Sequence, residues 1–143
     1  MDIAYGPADD TDIQPVFSLC KALIDEYENT ANIDYDKVLG WVLNKIQTHI
    51  REYVCVTLNG NKAAYYYFHH SEGKMELDDL YVLPLYQNMG IGTAILKRCI
   101  SHTKLPIFLY VFINNKGAVS LYQKLGFRIS KTINGSRYIM QRD

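Results

Sequence analysis

The sequence predicts an α/β chain: a mixed, mostly antiparallel sheet with one parallel β-α-β crossover and helices on both faces. Three observations lead there. Val16, Phe17, Cys20, Leu23, Ile24 and Tyr27 recur at helical spacing early in the chain. Short runs rich in β-branched and aromatic residues follow, separated by turns such as Asn59-Gly60. Across residues 75–113, strand, helix and strand succeed one another. Such a unit closes as a right-handed parallel crossover, while the hairpins on either side are antiparallel.

The elements can be justified in order. A short strand covers roughly Ile3 to Tyr5. Thr11 and Gln14 suit a capping box with Pro15 in the first turn, and the first helix runs to about Glu28. Asp34 or Asp36 caps a second helix, whose apolar face holds Val38, Leu39, Val42 and Ile46. Tyr53 to Leu58 and Ala63 to Phe68 form a hairpin around Asn59-Gly60. Ser71-Glu72-Gly73-Lys74 reverses the chain into a strand from Met75 to Val82, stopped by Pro84. A third helix carries Ile91, Ala94, Ile95 and Cys99. Ile107 to Ile113 is nearly all apolar, which predicts a strand buried on both faces. A fourth helix over Asn115 to Leu125 ends at Gly126. Phe127 to Thr132 and Arg137 to Gln141 close the chain as a hairpin around Asn134-Gly135.

Bulk properties narrow the function. With 143 residues, 48% hydrophobic and 21% charged, the chain suits one globular domain, residues 1–143. Its formal net charge of zero points to neither a nucleic-acid partner nor a membrane. The three cysteines, Cys20, Cys55 and Cys99, are far apart and show no metal-binding or redox spacing, so no metal is expected and the thiols read as small apolar residues. Neither a leader-like start nor a long apolar run is evident, and a reducing cytoplasm is the expected location. Asn134-Gly135-Ser136 fits a glycosylation sequon and equally a turn.

One segment carries chemistry. Leu80-Tyr81-Val82-Leu83-Pro84-Leu85-Tyr86 runs into Gln87-Asn88-Met89-Gly90-Ile91-Gly92-Thr93, so a strand enters a glycine turn that opens a helix. Glycines let the backbone approach a ligand, and the unpaired N–H groups of a first helical turn favour an anion. A phosphate or pyrophosphate site follows from that physics. Ile95 stands where a dinucleotide fingerprint needs its third glycine, and no Gly-Lys-Ser/Thr is present. A plain strand–turn–helix connection remains the alternative.

These residues resemble the coenzyme A motif of the GNAT superfamily of acyl-CoA-dependent N-acetyltransferases, Arg/Gln-x-x-Gly-x-Gly/Ala. Gln87, Gly90 and Gly92 fill its positions. Leu80-x-Val82-x-Pro84-x-Tyr86 is similar to the strand before it. Asn115-x-x-Ala118-x-x-Leu121-Tyr122-x-x-x-Gly126-Phe127 is similar to the family's later motif. Gln87-Asn88 departs from the commoner Arg-Gly and removes one positive charge. The resemblance spans essentially the whole chain. It implies acetyl-CoA as co-substrate, its pantetheine arm lying between the strands at 75–82 and 107–113, which would splay apart. Leu80 and Val82 would pair with the arm's amides, and N–H groups from Gln87 to Thr93 (Asn88, Met89, Gly90, Ile91 and Gly92 among them) would hold the pyrophosphate. Asn115 would bond the arm from the other side, unless it serves only as a helix cap.

The resemblance also implies direct attack by an amine on the thioester. The amine must first lose a proton, and a carboxylate can take it. Glu76 aligns with one position where the family carries its base. Asp78 and Asp79 are the other acids on that strand, and a strict period of two puts Glu76 and Asp78 on one face and Asp79 on the other. Tyr122 matches the tyrosine that donates to the leaving thiolate; packing in the core is its alternative role. A backbone N–H near Tyr81 would polarise the carbonyl. Tyr27, Tyr35 and Trp41 would line the acceptor pocket, with Tyr65, Tyr66 and Tyr67 opposite, and His69 and His70 are further acid–base candidates.

Three functions compete at this stage. The first is acetyl transfer to a primary amine of a small molecule or peptide. The second is an acyl-CoA-binding sensor without turnover, and the third an interaction domain that has lost the cofactor. Gly90, Gly92 and Asn115 argue against the third, and Tyr122 favours the first. Folds of this type often pair two copies through the closing hairpin, so a homodimer is a further expectation.

Overall fold

The computed structural model describes residues 2–143. The elements are β1 (Ile3–Pro7), α1 (Ile13–Tyr27), α2 (Tyr35–His49), β2 (Val54–Leu58), β3 (Asn61–Ser71), β4 (Lys74–Val82), α3 (Ile91–Ser101), β5 (Ile107–Phe112), α4 (Lys116–Lys124), β6 (Arg128–Ile133) and β7 (Arg137–Arg142). Their order is the one read from the sequence. The strands form one sheet ordered β1-β2-β3-β4-β5-β7-β6, in which β4–β5 is the parallel pair and every other pair is antiparallel.

Several boundaries differ from expectation for local reasons. The box ahead of α1 is Asp9 with Asp12, not Thr11 with Gln14. Asp9 accepts from the Thr11 N–H and Asp12 from the Asp9 N–H, because a 3-10 turn over Asp10–Asp12 precedes the α-helix. Of the two candidates ahead of α2, Asp34 is the cap, accepting from the Lys37 N–H at 3.3 Å. Strand β3 outruns Phe68 by three residues. The turn residues Glu72 (φ 50°) and Gly73 (φ 80°) are left-handed, and this two-residue reversal lets the ladder continue to Ser71–Lys74.

Each face of the sheet has its own core. On one side α3 and α4 pack Ile91, Ile95, Leu96, Cys99 and Tyr122 against Leu77, Leu109, Val111 and Met140. On the other, α1 and α2 pack Val16 and Ile46 against Cys55, Tyr65, Tyr67 and Tyr81. No β5 residue belongs to this second core among the described residues. That corrects the expectation for β5: Ile107, Leu109 and Val111 are buried, but Tyr110 is 45% exposed. Helices α1 and α2 serve the β2–β4 half of that face; on β5 Tyr27 of α1 reaches Phe112, and Tyr110 is left open.

Two irregularities shape the centre. Strands β4 and β5 pair only at Met75–Ile107 and Glu76–Phe108; beyond that they diverge. In the β3–β4 ladder Tyr67 opposes Asp79 while Phe68 opposes Leu77, so Asp78 is an extra, bulged residue. A bulge resets the alternation of side chains. The strict period therefore fails: Asp79, like Glu76 and Asp78, faces α1 and α2. Its partners Lys45, Tyr53 and Tyr81 lie on that side.

Candidate active site

The glycine turn has the geometry of an anion cradle. Asn88 (φ 62°) and Gly90 (φ 84°) are both left-handed, which brings the chain out of Gln87 and directly into α3. Gly90 is the N-cap, offering no side chain, and its carbonyl accepts the first helical bond from the Ala94 N–H at 3.0 Å. The N–H groups of Ile91, Gly92 and Thr93 thus have no acceptor within the helix. Gly90 is glycine for its backbone angle. Gly92 is not: a Cβ there would make only an ordinary 3.7 Å contact with Leu121 Cδ2. Gln87 donates its amide to the Val82 carbonyl at 3.1 Å, and so ties the turn back to the end of β4. Met89 stands 45% exposed at the rim, whereas Ile91 is buried beneath it.

Below the turn lies the gap between β4 and β5. Leu80 and Val82 direct their side chains to the α3/α4 core, and Tyr81 sends its ring to the other face. Leu121 brings α4 against the first turn of α3. Its neighbour Tyr122 is 9% exposed, with its ring 5.8 Å from that of Phe127. Burial pushes the phenol up to about 12, so it stays a neutral donor. The Asn115 side chain accepts from the Ala118 N–H at 3.3 Å, the capping role anticipated as one of its two readings.

On the opposite face the acids gather around Lys45 and His69. Lys45 Nζ lies 3.1 Å from Asp78 and 2.9 Å from Asp79. Burial disfavours that ammonium, but Asp79 and Asp78 outweigh it and raise its pKa. Asp79 also receives the hydroxyls of Tyr53 and Tyr81. His69 Nε2 lies 3.1 Å from Asp78 and 3.8 Å from Glu76, and its Nδ1 is 3.0 Å from the His70 carbonyl. Glu76 has no lysine partner. Burial first, and then Asp78, hold its carboxyl above the ordinary range. Of the three acids Glu76 is the least neutralised.

Sequence reasoning did not anticipate Lys45, and it left His69 and His70 undistinguished. His70 is exposed, while His69 joins the cluster and stacks on Tyr67 at 4.4 Å. A signal was available: a two-residue turn at Glu72-Gly73 sets His69 opposite Glu76, the pairing observed. Of the aromatic residues expected around the acceptor, Tyr27 stacks on Phe112 at 6.2 Å. Tyr35 donates to Asp25 at 2.5 Å, and Trp41 is 62% exposed on the outer side of α2. Tyr65, Tyr66 and Tyr67 are buried in the two cores, because β3 is central in the sheet and covered on both sides.

His69 makes a pH prediction. Burial opposes its protonation, but the His70 carbonyl and Asp78 outweigh burial and raise its pKa above 6.5. A raised histidine stabilises fully below its unfolded value and loses that contribution as pH rises through the folded value. The difference in melting temperature between wild type and His69→Gln should therefore shrink from about pH 6 to about pH 9. A difference that stays level across that range would contradict the assigned environment.

Comparison with known proteins fits this geometry. Residues 14–127 match the model of the acetyltransferase (GNAT) family. The chain is 33% identical over 64 residues to an uncharacterized N-acetyltransferase of Methanocaldococcus jannaschii, covering 42% of this chain and 28% of that protein. It is 30% identical over 79 residues to the spermine/spermidine N(1)-acetyltransferase of Bacillus subtilis, covering 50% and 52%. The chain thus spans about half, or less, of the length of these curated relatives. Among solved structures, the PaiA N-acetyltransferase of Thermoplasma acidophilum, crystallised with coenzyme A, superposes with a TM-score of 0.73 at 19% identity, covering 100% of this chain and 99% of that one. Arabidopsis thaliana Naa50, bound to a bisubstrate analogue, gives 0.65 at 19% identity over 100% and 99%. At such identity these two establish likeness of fold. No helix among the described residues is long and apolar enough to cross a membrane.

Proposed function

The chain belongs to the acetyltransferase (GNAT) family, and on that premise we propose that its 143 residues form one catalytic domain that transfers acetyl from acetyl-CoA to a primary amine. One observation carries the reading. The one parallel strand pair among the described residues comes apart directly below a helix N-terminus whose N–H groups are unpaired, and Tyr122 lies in the core beside that gap. The diphosphate belongs on Gln87 to Thr93 and the pantetheine arm in the gap, bonded by Leu80, Val82 and Asn115. The Val82 carbonyl already accepts from the Gln87 amide and has a second lone pair for the arm.

In the proposed mechanism the amine nitrogen attacks the thioester carbonyl carbon. Glu76 takes the amine proton and Tyr122 donates to the departing sulfur. An N–H near Tyr81, beside the bulge, polarises the carbonyl oxygen. Asp78 is the less suitable base because it is shared between Lys45 and His69. The acids also favour a cationic acceptor by charge. The acceptor is a small-molecule or peptide amine; nucleic acid and membrane are not expected partners. Three free cysteines suit a reducing cytoplasm. The hairpin β6–β7, whose β6 edge is unpaired in the sheet order, is the candidate surface for pairing two copies.

Two measurements test this. Calorimetry with coenzyme A should show one-to-one binding; no heat of association would remove the co-substrate. Thiol release from acetyl-CoA with a panel of amines tests turnover, and binding without turnover on any amine would make the chain a sensor. Glu76→Gln should lower kcat by roughly tenfold, less than the usual ~100-fold or more for a lost proton acceptor because Asp78 and His69 lie within reach. An unchanged kcat would take the base role from Glu76.

A further inference from the structure

The open part of the sheet around Tyr110 carries a charge that the mechanism does not use. Arg137 opens β7 and pairs in register with Phe112 of β5. Its guanidinium carbon lies 5.4 Å from the centre of the Tyr110 ring. Tyr110 is on the α1/α2 face, at the part those helices leave open, so the guanidinium is there too. Arg137 makes no ion pair and donates no side-chain hydrogen bond among the described residues. Its Nε is buried from solvent without an acceptor. A covered N–H with no partner costs free energy, and native structures rarely leave one without a reason.

The surroundings say what the reason can be. Along β5 the same face shows Phe108, Tyr110 and Phe112, and Tyr27 of α1 stacks on Phe112. At the inner end Phe108 pairs with Glu76, and Asp78 follows on the same face. At the outer end stands Arg137. This floor is negative where the amine would react and positive four residues away. Four residues of strand span about 13 Å, and the two side chains shorten the distance between their charged ends. With Nε covered, the terminal N–H groups of the guanidinium are the ones left to meet a planar anion, and carboxylate is the match.

We infer that Arg137 is a specificity residue that holds a carboxylate of the acceptor, so that the preferred substrate is an amine bearing a carboxylate at a distance, as in a peptide of roughly two to four residues. This rests on the proposed acetyl transfer and narrows its acceptor. A polyamine has no group for Arg137 and meets a like charge there. The arginine acts on binding and alignment, at the far end of the acceptor from the bond that forms.

The test compares triglycine, triglycine amide and spermidine in acetyl-CoA thiol release. Calorimetry of the two peptides on the coenzyme A-loaded protein runs beside it. Wild type should favour the free carboxylate over the amide by about ten- to a hundredfold in kcat/KM, the range for a charge-assisted pair. Arg137→Gln should bring that ratio close to one, and Arg137→Lys should leave part of it. Melting curves establish that both variants fold; if Arg137→Gln does not, Arg137→Lys carries the comparison. The inference fails if wild type uses the amide or spermidine as well as triglycine, or if the ratio survives Arg137→Gln. It fails also if triglycine binds no better than its amide. Spermidine turnover without peptide turnover would overturn the inference and leave acetyl transfer standing. Absence of coenzyme A binding would overturn acetyl transfer itself.

Discussion

Tyr122→Phe should lower kcat by about a hundredfold and leave the KM for acetyl-CoA within about twofold. The substitution removes one oxygen and keeps the ring, so the contact with Phe127 and the α3/α4 core survive. Stability should hold, since the hydroxyl makes no hydrogen bond to the protein among the described residues and is not sealed from solvent. The size of the effect follows from timing. In the proposed mechanism the sulfur carries charge only as the carbon–sulfur bond breaks, and a phenol that meets that charge would lower the barrier without tightening the ground state. A phenol held near 12 is a weaker acid than a thiol of about 8.5. On the proposed mechanism Tyr122 would contribute mainly by donating a hydrogen bond, with water free to complete the protonation. Single-turnover thiol release at saturating acetyl-CoA measures this directly. A rate within twofold of wild type would return Tyr122 to the core as packing alone.

The second large effect separates binding from folding. Gly92→Asp should raise the dissociation constant for coenzyme A by a hundredfold or more, about 3 kcal/mol, while the melting temperature stays level or rises. A side chain at position 92 begins against Leu121 at an ordinary 3.7 Å, and Gly92 needs no unusual backbone angle. An acidic residue in the first turn of a helix is favourable for the same reason that a phosphate is: it answers the unpaired N–H groups. The new carboxylate would therefore stabilise α3 and repel the diphosphate from the position it needs. Gly92→Ala, which adds bulk without charge, should weaken binding far less. If Gly92→Asp bound coenzyme A normally, the cradle at Gln87 to Thr93 would be a connection and nothing more. If it unfolded the protein, the glycine would have a structural role that the open space around it does not suggest.

Much of the fold was readable because its signals are local. Asn59-Gly60, Glu72-Gly73 and Asn134-Gly135 announce hairpins, with two-residue loops at the first two and a three-residue loop at the third, and in each the first residue and the glycine are left-handed in the structure. The unpaired N–H groups of the glycine turn at 87–92, on which the proposed anion site rests, were readable because they depend on only a few consecutive residues. The acidic cluster was read less well. Periodicity sent Asp79 to the wrong face because a bulge at Asp78 is a property of two strands that differ by one residue, not of β4 alone. Lys45 was invisible for a similar reason: it comes from α2, thirty-three residues before Asp78, and a lysine on a predicted helix face has no mark that says where it ends.

The sequence by itself determined the order of elements, the hairpin turns, the crossover and the left-handed glycine turn that opens α3, since each is written in short-range spacing and backbone preference. Only the tertiary structure decided which charges meet. It set Glu76, Asp78 and Asp79 on one face around Lys45 and His69, left Glu76 the least neutralised, and placed Arg137 on an aromatic floor without an acid beside it. Electrostatic environment depends on distances between residues remote in the chain, and those distances exist only once helices and strands have packed.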